Sequence, residues 1–166
     1  MLTLSERLPV PSPTSEQLVL PFELRSRSRF RAVLDSGEAV GVNVNRGQIL
    51  RGGDRLRSSC GRVVEIVAAA ESVSTVRAEN PRLLLRAAYH LGNRHIALQI
   101  GPGWLRYSHD HVLDEMVRGL GLEVVAEQAA FEPEGGAYHA ESAREHSNPP
   151  GREPHDHPHL RHDEHT

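Results

Sequence analysis

The apolar pattern of this 166-residue chain stops at Gly135, and that stop limits everything it can fold into. From there to Thr166 the sequence is dominated by Gly, Pro, His, Glu and Arg, with Leu160 as its one large aliphatic. Such a segment cannot bury enough apolar surface to offset the entropy of ordering, so 135–166 reads as a disordered tail. Any core belongs to the residues before it. Phe, Tyr and Trp are scarce there, which leaves Leu, Val, Ala and Ile to build it.

The first half reads as β. Leu18-Val19-Leu20 leads into Pro21, and Asp35-Ser36-Gly37-Glu38 has turn chemistry ahead of Val40-Gly41-Val42-Asn43-Val44, which predicts a hairpin. Gly52-Gly53-Asp54 and Ser58 to Gly61 are further turns, and Val63 to Ala68 is another short apolar strand. Arg25, Arg27, Arg29 and Arg31 recur at a period of two, which would line one face of an extended strand. Such a row is either the solvated outer face of a sheet or a docking surface for an acidic partner.

Beyond residue 71 the pattern changes. Ser72 to Ala78 is a β-branched strand, and Asn80-Pro81 offers an N-cap followed by proline at the first helical position. Leu83, Leu84, Ala87, Ala88 and Leu91 continue at helical spacing, with Gly92 as a stop. Ile96 to Ile100 reads as a strand, Gly101-Pro102-Gly103 turns it, and Trp104 to Tyr107 returns. A second helix, capped by Ser108 or Asp110, carries Val112, Leu113, Met116, Val117 and Leu120, and Leu122 to Ala126 supplies a last strand. The expected fold class is therefore α+β. An all-β small sandwich or barrel occupies 1–71, a ferredoxin-like βαββαβ domain 72–134, and the histidine-rich tail the rest.

Charge and composition remove several functions. Residues 1–135 hold 16 Arg and 16 acids, while 136–166 hold 3 Arg against 6 acids, so the tail carries the whole net charge of −3. A nucleic-acid binder shows the opposite bias. Lysine is absent, which excludes a phosphate-loop lysine and Schiff-base catalysis. The single cysteine, Cys60, excludes an intramolecular disulfide and a thiolate zinc knuckle. No run is long and apolar enough to span a bilayer, and Met1 to Val10 does not resemble a signal peptide, so the expected location is the cytoplasm. HExxH, nucleophile-elbow and phosphate-loop motifs are missing too, and no enzyme is expected.

Histidine is the chemistry-bearing residue. Seven of 11 lie in the last 28 residues: His139, His146, His155, His157, His159, His162 and His165. Neutral imidazole offers one nitrogen donor suited to Ni, Cu and Zn, and donors every few residues on a flexible strand can wrap an ion. In the body, His90 and His95 bracket the end of the first helix of the second half. His109 and His111 flank Asp110 at the start of the next. The positive end of a helix dipole disfavours imidazolium, which would keep His109 and His111 available to coordinate. Two apart on a regular helix they would diverge, so they share an ion only if one lies outside it. Composition alone leaves the choice among the three metals open.

The stretch Tyr89-His90-Leu91-Gly92-Asn93-Arg94-His95 resembles the urease accessory nickel chaperones of the UreE type. Leu98-Gln99-Ile100, Leu105-Arg106-Tyr107, Asp110-His111-Val112-Leu113-Asp114, Met116, Phe131-Glu132-Pro133-Glu134, Gly136-Ala137-Tyr138 and Arg51-Gly52-Gly53-Asp54 extend the resemblance. It implies a peptide-binding-like N-terminal β domain and a ferredoxin-like metal-binding domain that forms homodimers. It further implies delivery of Ni(II) to apo-urease through the urease accessory GTPase and its complex, with Zn(II) or Cu(II) able to occupy the same sites. His95 resembles the histidine that meets its symmetry mate and binds nickel. His109 and His111 resemble auxiliary positions, and the seven tail histidines would add capacity. The tail here differs from the most histidine-loaded relatives, because Pro, Asp and Arg separate its histidines. A general Zn/Cu/Ni buffer and a peptide-binding cochaperone working through the β domain are the competing expectations.

Overall fold

The computed structural model describes residues 2–9, 13–14 and 16–135. Alternation of apolar and polar residues builds a six-stranded sheet first. Its strands are β1 (Leu2–Leu8), β2 (Glu16–Leu20), β3 (Arg29–Val33), β4 (Ala39–Asn43), β5 (Arg55–Ser58) and β6 (Val63–Ala68), in spatial order β2-β6-β5-β1-β4-β3. Inward positions alternate as the pleat requires: Leu18 and Leu20, Val40 and Val42, Val64 and Ile66 are all essentially inaccessible. Burying each contributes about 1.5–3 kcal/mol. The two end strands approach one another, since the Asp35 N–H just beyond β3 donates to the Gln17 carbonyl of β2 at 3.3 Å. The sheet is thus nearly closed and barrel-like, which leaves little free strand edge. The Asp35–Glu38 turn closes the β3–β4 hairpin as expected, with Gly37 at φ +85°.

The arginine row is not a row. A single helical turn, α1 (Phe22–Arg25), follows Pro21, and Arg25 at its end is fully buried. Arg27 pairs with Glu23 one turn back. Only Arg29 and Arg31 lie in β3, above a shallow trough bounded by Thr3, Gly41 and Asn43. Alternation implied a strand across all four, but the Leu24 and Arg25 N–H groups both donate to the Pro21 carbonyl at 3.1 Å, and that bend reorients the first two.

A four-stranded antiparallel sheet follows almost without a break. It comprises β7 (Ala70–Arg77), β8 (Gln99–Gly101), β9 (Trp104–Ser108) and β10 (Glu123–Ala130), in spatial order β10-β7-β9-β8. Helix α2 (Pro81–Gly92) links β7 to β8, and α3 (His111–Gly119) links β9 to β10. That is the element order expected from periodicity. Both helices pack on this sheet through Ala87, Leu91, Leu113 and Val117, which meet Val76, Leu105 and Val124 in a second core. Asn80 caps α2 by accepting from the Arg82 N–H at 3.0 Å, and Pro81 stands at the first turn. Two boundaries differ most from expectation. The strand expected over Ile96 to Ile100 is confined to Gln99–Gly101, because residues 93–96 are spent ending α2. The last strand runs to Ala130 rather than Ala126, held along its length by β7.

The segment after β10 returns to the first sheet. Arg25 uses its planar fork there: Nε donates to the Leu20 carbonyl (3.1 Å), and Nη1 to the Leu50 carbonyl (3.3 Å) and Glu132 Oε1 (2.9 Å). Its Nη2 donates to the Phe131 carbonyl. Glu132 also accepts from the Gly52 N–H at 2.9 Å and pairs with Arg51 at 3.3 Å, while the Arg51 guanidinium reaches the Pro133 carbonyl at 2.6 Å. Phe22 and Phe131 meet edge to face at 5.5 Å. Arg51-Gly52 and Phe131-Glu132-Pro133, far apart in sequence, are two halves of one clasp.

Candidate metal centre

Helix α2 does not stop at Gly92 by adopting a left-handed turn there. The left-handed residue is His95, at φ +57°, the one non-glycine residue with positive φ among those described. Its N–H donates to the Gly92 carbonyl (2.9 Å), and the next N–H, of Ile96, reaches back to the Leu91 carbonyl (3.2 Å). These are the paired bonds of a Schellman stop, whose left-handed position is ordinarily glycine because a Cβ there costs energy. Ile96 packs on the core beside Leu91, the apolar contact that accompanies such a stop. The imidazole of His95 is exposed and makes no side-chain hydrogen bond or ion pair among the described residues. A non-glycine residue held where glycine is favoured, with its ring presented to solvent, points to a constraint other than folding.

His90 sits half-buried in the last turn of α2, its ring edge to face with Tyr89 at 5.4 Å. Its carbonyl is occupied by the Arg94 guanidinium at 3.0 Å.

At the start of α3, Asp110 is the cap. Its carboxylate accepts from the N–H groups of Val112 (2.8 Å) and Leu113 (3.2 Å), so Ser108 is not used. His111 is the first helical residue and is exposed. His109 lies before the cap, outside the helix, its backbone N–H held by the Ser72 carbonyl at 3.1 Å. The two rings have different surroundings. The Nδ1 of His109 is 3.0 Å from Ser74 Oγ and 3.4 Å from Asp114 Oδ2, whereas the His111 side chain makes no polar contact among the described residues.

Asp114 is buried, and it accepts the Tyr107 hydroxyl at 2.9 Å. Burial, and next the bond to this carboxylate, push the Tyr107 phenol above its ordinary value. A neutral acid with a raised folded-state pKa stabilises fully below ~10, and that contribution is lost as pH rises further, because the unfolded chain ionises first. Thermal stability is therefore expected to fall above pH ~10, and less steeply in Tyr107→Phe. Parallel melting-temperature profiles for the two proteins from pH 8 to about 11 would show that the phenol ionises freely.

Among the described residues, no three His, Cys, Asp or Glu side chains gather to hold a metal ion. His90, His95, His109 and His111 occupy separate positions on the second sheet's helices and loops. His139, His146, His155, His157, His159, His162 and His165 lie outside the described residues. Sequence reasoning missed Ser74, Tyr107 and Asp114 as a group around His109. The Asp110-His111-Val112-Leu113-Asp114 block held one of them, but nothing in spacing joins it to β7 and β9.

Comparison with known proteins covers nearly the whole chain. A family model described as UreE urease accessory protein, N-terminal domain, matches residues 3–69, and one described as its C-terminal domain matches 71–165. A protein named Urease accessory protein UreE from Alkalilimnicola ehrlichii is 63% identical over 138 residues, covering 83% of this chain and 85% of its own. One of the same name from Pseudomonas putida strain W619 is 54% identical over 139 residues (83% and 86%). One from Nitrosospira multiformis is 49% identical over 157 residues (90% and 89%).

Proposed function

Since this chain belongs to the UreE urease accessory protein family and is not an enzyme, we propose that it carries Ni(II) as a homodimer and delivers it to apo-urease. The observation that carries this reading is His95: exposed, unpaired among the described residues, and held in a left-handed conformation that glycine would occupy at less cost. One imidazole is a poor site, but a two-fold axis makes two from it. Two imidazoles leave several positions on Ni(II) open to water, tail histidines or a receiving protein, so transfer can proceed by ligand exchange. A closed four-ligand site would retain its metal instead.

Dimerisation through the second unit is supported by large apolar side chains left uncovered there. Leu85 and Tyr89 are one turn apart on α2 and 70% and 65% exposed, and Val112 on α3 is 60% exposed. His95 stands just beyond the C-terminal end of α2. We read the second unit as the ferredoxin-like metal domain, 72–134, and the first, 1–71, as a peptide-binding-like β domain that meets the accessory GTPase and urease complex. Auxiliary ions, Zn(II) and Cu(II) among them, fall to His109, His111 and the tail. The histidines of 135–166 capture and buffer, and His139 or His146 add ligands to the His95 pair.

Equilibrium dialysis of nickel against the full chain, a chain ending at Gly135, and its His95→Ala form tests the division of labour. The shortened chain should keep about one ion per dimer, by the two-fold argument, and lose it on replacement of His95. No binding by the shortened chain would overturn the assignment. Protons compete with metal for imidazole, so nickel affinity should drop as pH falls through ~6.5. An affinity flat between about pH 5 and 8 would exclude histidine ligation.

A further inference from the structure

The proton positions around His109 follow from counting hydrogens. Each hydroxyl has one to give, and a carboxylate only accepts. Tyr107 gives its proton to Asp114 Oδ1, so toward any other group its oxygen is an acceptor. Asp114 Oδ2 stands 3.4 Å from His109 Nδ1, and because a carboxylate can only accept, it favours a proton on that nitrogen. Ser74 Oγ, 3.0 Å from the same nitrogen, then accepts from it as well. Two acceptors thus face His109 Nδ1, Tyr107 holds the other oxygen of Asp114, and Ser74, Tyr107 and Asp114 are all buried.

We propose that Asp114, Tyr107 and Ser74 are positioning residues that hold His109 in its Nδ1–H tautomer and leave Nε2 as a pre-aimed donor for a borderline divalent metal. No polar group among the described residues reaches Nε2, and the side chain is 39% exposed. Metal-binding imidazoles characteristically donate their second ring N–H to a fixed acceptor, which sets orientation and raises ligand basicity. Here the acceptors are a buried serine hydroxyl and a buried carboxylate whose other oxygen a tyrosine holds. His111, two residues away, has no comparable support and is a free-swinging ligand by contrast. The Arg118 guanidinium, 3.8 Å from that same Oδ2, balances the carboxylate's charge.

This proposal rests on the metal-carrying reading above, and one experiment separates the two. Nitrogen-15 NMR of the histidine rings in the full chain reports which nitrogen bears the proton, and Zn(II), which is diamagnetic, reports which one binds. The metal-free protein should show His109 with its proton on Nδ1, and Zn(II) should shift its Nε2. Tyr107→Phe removes the donor that fixes the Asp114 carboxylate against Nδ1, so the opposite tautomer should appear and Zn(II) affinity at His109 should fall about tenfold, the lower end for loss of an outer-shell partner. The His95 response should not move. Ser74→Ala should also loosen the tautomer and guards against a folding defect in the tyrosine variant. A proton on Nε2 in the unmodified chain, a Zn(II) shift at Nδ1, or a silent His109 beside a responsive His95 would overturn the positioning role. Silence at both His95 and His109, with Ni(II) as with Zn(II), would instead overturn the carrier function on which it rests.

Discussion

His95→Gly should fold at least as well as the parent protein and fail to deliver nickel. The two effects have separate causes. The left-handed backbone at His95 carries a Cβ penalty of about 1 kcal/mol, which glycine removes. Part of that gain is offset by the greater freedom of glycine in the unfolded chain. His95→Ala keeps the Cβ and should be less stable than the glycine form by about 1 kcal/mol, or roughly 3 °C in melting temperature for a chain of this size. In the chain ending at Gly135, both variants should lose more than the roughly 10–100-fold in metal affinity that an outer-shell defect costs, because a ligand itself is gone. The glycine form shows that lost nickel is not lost folding. Normal urease activation by either variant would sink the assignment of His95, and an alanine form more stable than the glycine form would sink the backbone argument.

Arg25→Ala should be the most damaging single change in the clasp between the two sheets. Removing one partner of a buried ion pair costs about 3–5 kcal/mol, because the other charge and its surroundings stay behind. Arg25 is fully buried and bonds the Leu20, Leu50 and Phe131 carbonyls as well as Glu132. Its loss therefore strands the Leu50 and Phe131 carbonyls, while the Leu20 carbonyl keeps the Ala69 N–H and Glu132 keeps Arg51 and the Gly52 N–H. For the same reason Arg25→Met, which fills the volume, should recover little. Replacing an ion pair by apolar groups succeeds only when no other polar atom depended on it. Arg25→Lys should also fall short, because an ammonium cannot span acceptors arranged for a planar five-donor fork. Urea unfolding of the three variants checks this. A methionine form within about 1 kcal/mol of the parent would show that the carbonyls find other partners.

The two changes bear on different parts of the molecule. His95 lies at the end of a helix whose stop would be cheaper without it, so folding does not require its side chain. Arg25 lies where folding requires every donor it has. A buried arginine and an exposed histidine thus have opposite signatures under substitution, and stability and nickel binding should separate cleanly between them.

Much of this architecture is written locally. Turn residues placed the β3–β4 and β8–β9 hairpins, the Asn80-Pro81 pair began α2, and apolar spacing carried the order of β7 to β10 with its two helices. The family was legible in the run from Tyr89 to His95, and the candidate body ligands could be named because residues 1–135 hold just four histidines. Local signals failed where two conformations share a pattern. Period-two arginines suit a strand, yet Pro21 starts a helical turn that sends Arg25 inward and leaves only Arg29 and Arg31 on β3. Gly92 is the last residue of α2 as expected, yet the left-handed turn that closes the helix end falls three residues later at His95, because backbone bonding to Leu91 and Gly92 chooses the place. What only the tertiary structure decided is which distant residues share a proton or a charge. Arg25 with Glu132, and Ser74 with Tyr107, Asp114 and His109, come from different elements and have no common spacing. Hydrogen bonds act over three ångströms, and only strand register and helix packing bring such groups within that range.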